Sequence, residues 1–217
     1  DLIDYVDLIA IQLPGRESRF SEPLLDNISD VVNELSLNFH NYLDKPYILF
    51  GHSIGALISF EFTRTLRKKA MQQPKSLIIS GTKAPQVPLK RSPIHRLPTP
   101  ELIQKIREYN GIPSDIIENK ELMDIFLPII RADFCISETY SYYSEPPLAC
   151  PIMALGGLND DTFDSQDLLK WQEQTTALFQ YELLPGDHFF IKSSYPEVIN
   201  IVNKILYKEI TQFVTLN

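Results

Sequence analysis

The sequence predicts an α/β fold: a mostly parallel sheet with helices on both faces, interrupted by a helical insertion. Three observations carry this. Short apolar runs alternate with stretches of helical periodicity in both the first and the last third of the chain. A Gly-x-Ser-x-Gly turn, Gly51-His52-Ser53-Ile54-Gly55, joins one such run to one such helix. Between Ala84 and Pro147 the alternation stops, and proline-punctuated helical segments replace it. With 217 residues the chain is long enough for one sizeable core. A single domain over 1–217 is expected, with 84–147 as a lid inserted within it.

In chain order, Val6 to Leu13 (VDLIAIQL) reads as a buried strand ended by Pro14-Gly15. Asp26 to Leu43 reads as a helix, with Ile28, Val31, Val32, Leu35, Phe39 and Leu43 at helical spacing. Tyr47 to Phe50 is a short strand. Ile54 to Lys69 is a helix with Leu57, Ile58, Phe60 and Phe62 among its apolar residues. Ser76 to Ser80 is the next strand, closed by Gly81. In the insertion, Glu101 to Tyr109 and Glu121 to about Tyr143 are helical, the second interrupted at Pro128. Pro151 to Leu155 resumes the sheet. Asp164 to Leu178 is expected to be helical, burying Leu168, Leu169, Trp171 and Leu178. Tyr181 to Leu184 is the last strand. Tyr195 to Phe213 closes the chain as a helix, with Val198, Ile201, Val202, Ile205 and Leu206 on one face.

Composition excludes several functions. Hydrophobic residues make up 44% and charged residues 22%, an ordinary globular balance. No apolar run reaches the roughly 18 residues of a membrane span. The formal charge of −8 argues against nucleic-acid binding. Cys135 and Cys150 form no CxxC pair and read as reduced thiols in a cytoplasmic protein. The start at Asp1 has neither a basic leader nor an initiator Met, so a fragment or processed form is expected. Charge is uneven: eleven Lys/Arg lie from Arg64 to Arg107 against one acid, Glu101. Such a zone suits either an acidic partner or a solvated face, with Arg67-Lys68-Lys69 complementing a helix C-terminus.

The glycine-flanked turn carries the chemistry. A serine between a strand and a helix stands exposed on a strained turn, with flanking glycines expected to relieve clashes. The N–H of Ile54, at the helix N-terminus, is placed to donate to an oxyanion. A serine hydroxyl is a weak nucleophile and needs a base. Of the four histidines, His52 adjoins Ser53 and is expected to pack beside the turn. His40 is expected on a surface, and His95 has no assigned role. His188 follows the last strand, where the order Ser…Asp…His places the base. The orienting carboxylate belongs after an intervening strand, where Asp160 and Asp161 both stand. Asp164 reads as a helix cap, and Asp187 is too near His188 in sequence to orient it.

These blocks together resemble the type II thioesterases of nonribosomal peptide and polyketide synthases, which are α/β-hydrolases. The likeness runs through QLPGRESRF (Gln12 to Phe20), PYILFGHSIGALISFE (Pro46 to Glu61), SGTKAP (Ser80 to Pro85), NGIP (Asn110 to Pro113), LPIIRAD (Leu127 to Asp133), CPIMALGGLNDD (Cys150 to Asp161) and PGDHFFI (Pro185 to Ile191). Matched motif by motif, the resemblance implies a triad of Ser53, Asp160 and His188. The family often reads Gly-x-x-Asp-Pro at the acid, where this chain has Asp161 and Thr162. Gly186-Asp187 likewise stands where Gly-Gly is usual.

The resemblance implies hydrolysis of acyl or aminoacyl thioesters on the phosphopantetheine arm of carrier domains, an editing role. No metal or redox cofactor is expected, the substrate itself bringing the pantetheine. Expected partners are acyl or peptidyl carrier domains, with neither nucleic acid nor membrane, and the protein is expected to be a monomer. The insertion, with Arg64 to Lys69, is expected to meet the acidic carrier. The family's first strand and Gly-containing loop, which supply a second oxyanion donor, do not occur before Val6, so a truncated chain is expected. Two other readings fit the same motifs: a fatty-acid-synthase chain-release enzyme or other esterase of this fold, and a non-catalytic carrier-binding protein.

Overall fold

The computed structural model describes residues 2–3, 6–42, 44–109 and 111–216, except the side chains at 41 and 212–216. Asp1, Leu43 (expected to close the first helix) and Asn110 lie outside the described residues. The chain divides into two compact units. One comprises residues 1–10, 39–84 and 145–217; the other comprises 11–38 and 85–144.

The elements in chain order are α1 (Ile28–Asn38), β1 (Ile48–His52), α2 (Ile54–Lys68), β2 (Ser76–Ser80), α3 (Thr99–Tyr109), α4 (Ser114–Glu118), α5 (Lys120–Glu138), β3 (Ile152–Gly157), α6 (Ser165–Leu169), β4 (Phe179–Leu184), α7 (Phe190–Ser193) and α8 (Tyr195–Leu216). Short 3₁₀ turns lie at Glu17–Arg19, His40–Tyr42 and Lys170–Gln174.

The first unit holds a four-stranded sheet in the order β1-β2-β3-β4, parallel throughout. Successive side chains of a strand point to opposite faces. Leu77, Ile78 and Ile79 are all fully buried, so both faces of β2 are covered. On one face Ile78, Leu155 and Leu184 meet Val198, Ile201 and Val202 of α8, the apolar stripe the periodicity predicts. Helix α2 packs against β1 and β2. Its Phe60 takes the Trp171 ring edge-on at 5.2 Å, and its Phe62 meets Phe39 at 5.3 Å.

The second unit has a core of its own. Ile94, Leu102, Ile106, Ile117, Met123 and Leu127 cluster between α3, α4 and α5. Arg16 is tied to Asp133 of α5 at 3.0 Å. Pro128 does not interrupt the second helix as expected; α5 runs through it. The proline removes one donor, but Met123 and Leu127 before it, and Ala132 and Ile136 after it, are buried, so both halves are packed. The helix ends at Glu138, short of Tyr143.

Two further expectations are corrected. Val6 to Leu13 forms no strand: Leu8 is 79% exposed, and Ile9 and Ile11 are exposed too. An apolar run becomes a strand only against a ladder partner, and the described sheet begins at β1, paired with β2. The helix expected through Leu178 stops earlier because Thr175 turns extended and its hydroxyl donates to the Cys150 carbonyl at 2.7 Å. Leu178 is therefore exposed, while Leu168 and Trp171 are fully buried.

Candidate active site

Strand β1 ends at His52 and α2 begins at Ile54, so the chain reverses on one residue. Ser53 takes φ 55° and ψ −119° to do this, a conformation costing a non-glycine residue about 1–3 kcal/mol. The end of the neighbouring strand holds the turn: the Ser53 N–H donates to the Ser80 carbonyl at 2.7 Å. A Cβ on Gly51 would overlap the Gly55 backbone, so glycine is required there. The expected matching role for Gly55 does not hold, since a Cβ there would meet open space. The Ile54 N–H is the first amide of α2, without an intrahelical acceptor and at the positive end of the helix dipole.

Acid and base arrive on the loops after β3 and β4. These loops are laced together: Leu158 N–H donates to the Leu184 carbonyl at 2.8 Å, and Asn159 N–H to the Gly186 carbonyl at 2.9 Å. Gly157 permits the approach, because a Cβ there would overlap the Asp187 and Gly186 carbonyls. The lacing sets Asp160 opposite His188.

The geometry separates the two neighbouring carboxylates. The Asp160 side chain is fully buried, and its Oδ2 lies 2.9 Å from His188 Nδ1. Its Oδ1 accepts from the Thr162 N–H at 2.9 Å and the Thr162 hydroxyl at 2.6 Å. Burial pushes the Asp160 pKa up, but the bonds from His188 and Thr162 outweigh it and hold the carboxyl below 3.8. Asp161 is exposed. Asp164 caps α6 through the Gln166 N–H, and Asp187 accepts from the Phe189 N–H ahead of α7.

His188 Nε2 lies 3.0 Å from Ser53 Oγ. With its Nδ1–H given to Asp160, the imidazole presents an unprotonated Nε2 to the serine. A hydroxyl held this way can lose its proton as it attacks a carbonyl carbon, and the carboxylate stabilises the imidazolium that results. Ser53, His188 and Asp160 are thus brought together from three strand ends.

The remaining histidines fall elsewhere. His40 is exposed. His95 bonds Glu138 at 2.6 Å in the second unit. His52 sits on the elbow, its Nδ1 2.9 Å from Ser80 Oγ and its ring 5.1 Å from that of His188. Burial, with His188 adding to it, lowers the His52 pKa to about 4. Sequence reasoning passed over Thr162 and Ser80. An Asp-x-Thr triplet, with its habit of local side-chain-to-backbone bonding, is a signal for the first; Ser80 carries none beyond closing a strand.

Both cysteines are free thiols, and burial pushes Cys150 up to about 11. Among the described residues no group of three or more His, Cys, Asp or Glu is placed to hold a metal ion, and no helix is long and apolar enough to cross a membrane.

Part of the Arg64 to Lys69 zone, expected to face a carrier, is engaged within the protein. Arg64 is 3% exposed and lies between Glu61 at 2.7 Å and Glu145 at 2.6 Å. Arg67 and Lys68 also bind Glu145, at 2.9 and 2.7 Å. Burial opposes ionisation of Glu145, but the three cations hold its pKa below the usual value. Arg64 and Arg67 are taken up in anchoring the chain's return at Glu145, while Lys68 and Lys69 stay exposed.

Comparison with known proteins gives concordant results. The thioesterase domain family model matches residues 1–206. The gramicidin S biosynthesis protein GrsT of Aneurinibacillus migulanus is 41% identical over 201 residues, covering 93% of this chain and 78% of that protein. Among solved structures, ClbQ from the colibactin NRPS/PKS pathway is 31% identical with a TM-score of 0.91, covering 97% of this chain and 90% of its own. The type II thioesterase BorB from the borrelidin biosynthetic cluster is 30% identical with a TM-score of 0.79, covering 90% and 77%. A hydroxyl, an imidazole and a buried carboxylate in one hydrogen-bonded line, in a chain matched over this length, lead to one conclusion: the chain belongs to the thioesterase domain family, as a hydrolase of thioesters with the α/β-hydrolase fold.

Proposed function

We propose that the protein is a type II thioesterase of a nonribosomal peptide or polyketide pathway. It clears acyl and aminoacyl groups from the phosphopantetheine arms of carrier domains that are stalled or misprimed. The observation that carries this is the line Ser53 Oγ–His188–Asp160, with links of 3.0 and 2.9 Å, on a strained elbow. Kinship to ClbQ and BorB supports the substrate class.

In this mechanism Ser53 attacks the thioester carbonyl while His188 Nε2 takes its proton. The tetrahedral oxyanion accepts from the Ile54 N–H. His188 returns the proton to the departing pantetheine thiol. It then takes a proton from water, which attacks the acyl-Ser53 ester and releases the acid. Asp160 holds the imidazole in the required tautomer throughout. No cofactor takes part in these steps. Two free thiols fit a reducing cytoplasm, and we place the protein there as a monomer.

The helical insertion is proposed to act as the lid and to meet the acidic carrier. With Arg64, Arg67 and Lys68 bound to Glu145, Lys90 and Arg91, both exposed, are the cations to test. Purified protein offered acyl carrier thioesters, acyl-coenzyme A and matched oxygen esters should prefer the carrier-bound thioester. Preference for oxygen esters would favour an esterase, and no turnover a binding protein. Charge reversal at Lys90 and Arg91 should lower kcat/KM on the carrier substrate alone. Equal loss on a small thioester would refute the docking role.

A further inference from the structure

The elbow carries a second imidazole that the mechanism above does not use. The His52 ring tilts 45° to that of His188 at 5.1 Å, and the rings of Phe189 and Phe190 lie within 6.2 and 5.8 Å. Its placement is specified from the other side as well. Ser80 Oγ holds Nδ1 at 2.9 Å, while the Ser80 carbonyl takes the Ser53 N–H. Gly81, at φ +65°, leaves the room the ring occupies: a Cβ there would lie 2.5 Å from His52 Cε1. One Ser-Gly turn therefore seats both the nucleophile's backbone and this ring.

We infer that His52 is a positioning residue: its ring, fixed by Ser80 and Gly81, is the wall against which His188 rests so that Nε2 stays on Ser53 while Nδ1 stays on Asp160. The ring must also be uncharged, because His188 gains a proton in every half-reaction and a cation at this distance would oppose it. Burial and the His188 neighbour keep His52 neutral above about pH 4, with Lys192 working the same way and Asp160 and the His188 backbone against it.

This inference rests on the proposed acyl transfer through Ser53, and the experiment separates the two. His52→Ala, His52→Phe and Ser80→Ala are measured for kcat and KM on a small acyl thioester. The downfield proton resonance of the His188–Asp160 hydrogen bond is recorded for each. His52→Ala should lose at least tenfold in kcat with KM within twofold, and its downfield resonance should broaden or vanish. His52→Phe, uncharged and planar, should restore both to within about threefold. Ser80→Ala, which removes one hydrogen bond beneath the ring, should lose about 2–10-fold in kcat and decides the matter if His52→Ala does not fold. Full kcat and a sharp resonance in His52→Ala, or in Ser80→Ala if that variant alone folds, would overturn the inference. If the wild type itself hydrolyses no thioester, the functional reading fails, and the resonance alone still decides whether His52 positions His188.

Discussion

The Asp160→Asn substitution tests the site most sharply, because Thr162 dictates how the new amide must sit. Asp160 Oδ1 accepts from the Thr162 N–H and hydroxyl at 2.9 and 2.6 Å. An asparagine keeps those bonds only with its oxygen at that position. Its NH₂ then faces His188 Nδ1, 2.9 Å away, and donates to it. The proton moves to Nε2, which can no longer take one from Ser53. The wrong tautomer of a serine-triad histidine lowers kcat about 10⁴-fold, or roughly 5.5 kcal/mol. Adding Thr162→Val removes the hydroxyl, worth about 0.5–1.5 kcal/mol to a neutral amide oxygen. The amide can then flip, and activity should return about 2–12-fold relative to Asp160→Asn alone. The assay is thiol release from a small acyl thioester, read by a chromogenic thiol reagent. Asp161→Asn serves as the control and should stay within about twofold of wild type, as expected for an exposed residue. Equal losses in Asp160→Asn and Asp161→Asn, or a loss below tenfold in the first, would refute the tautomer argument.

Glu145→Ala should destabilise the protein by about 3 kcal/mol, the lower end for breaking a buried ion pair, because Arg64 keeps Glu61; urea denaturation reads this, and a midpoint unchanged from wild type would contradict it. Ser53→Gly relieves the φ of 55° and should raise stability by about 1–3 kcal/mol while abolishing thioester turnover; a lower melting temperature than Ser53→Ala would count against strain at the elbow. Stability should also fall in mild acid. His52 binds its proton less readily when folded, near 4 against 6.5, so the unfolded chain protonates first. Its contribution is complete above about 6.5 and is lost as pH drops through about 4, roughly 3 kcal/mol in all. Asp160, held low, adds a further loss as pH falls through its folded pKa. Urea midpoints at pH 7 and 4.5 measure the first of these, and His52→Phe should flatten the slope between them.

Strand and helix positions were legible where burial is two-sided or periodic. SLIIS reads as a strand, although periodicity alone also admits a helix for so short a run; β2 is buried on both faces, and the α8 stripe follows from its spacing. Val6 to Leu13 has the same apolar signature, yet a run of side chains does not say whether a neighbour will offer a ladder. Pro128 misled in the opposite direction, since packing on either side of it outweighs one missing donor. At the site, residue types and chain order bring Ser53 and His188 into view although 135 residues separate them. Asp160 and Asp161 are indistinguishable by type. What separates them is the direction in which the loop after β3 turns, and that is set by Gly157 and by hydrogen bonds to a strand end far along the chain. The His52–Ser80 pairing was illegible for the same reason: it depends on which strand lies beside β1.

The lacing of the loops after β3 and β4 has an evolutionary consequence. Acid and base are stitched together ahead of the stretch that links them in sequence, so their spacing does not depend on that stretch's length. Within Ser165 to Gln174, a short α-turn followed by a 3₁₀ turn, Leu168 and Trp171 are core, so substitution is tolerated at the exposed Ser165, Gln166, Lys170, Gln172 and Glu173 without parting the dyad. Two residues that must never move apart are thus joined in sequence by a stretch whose outer face is open to substitution.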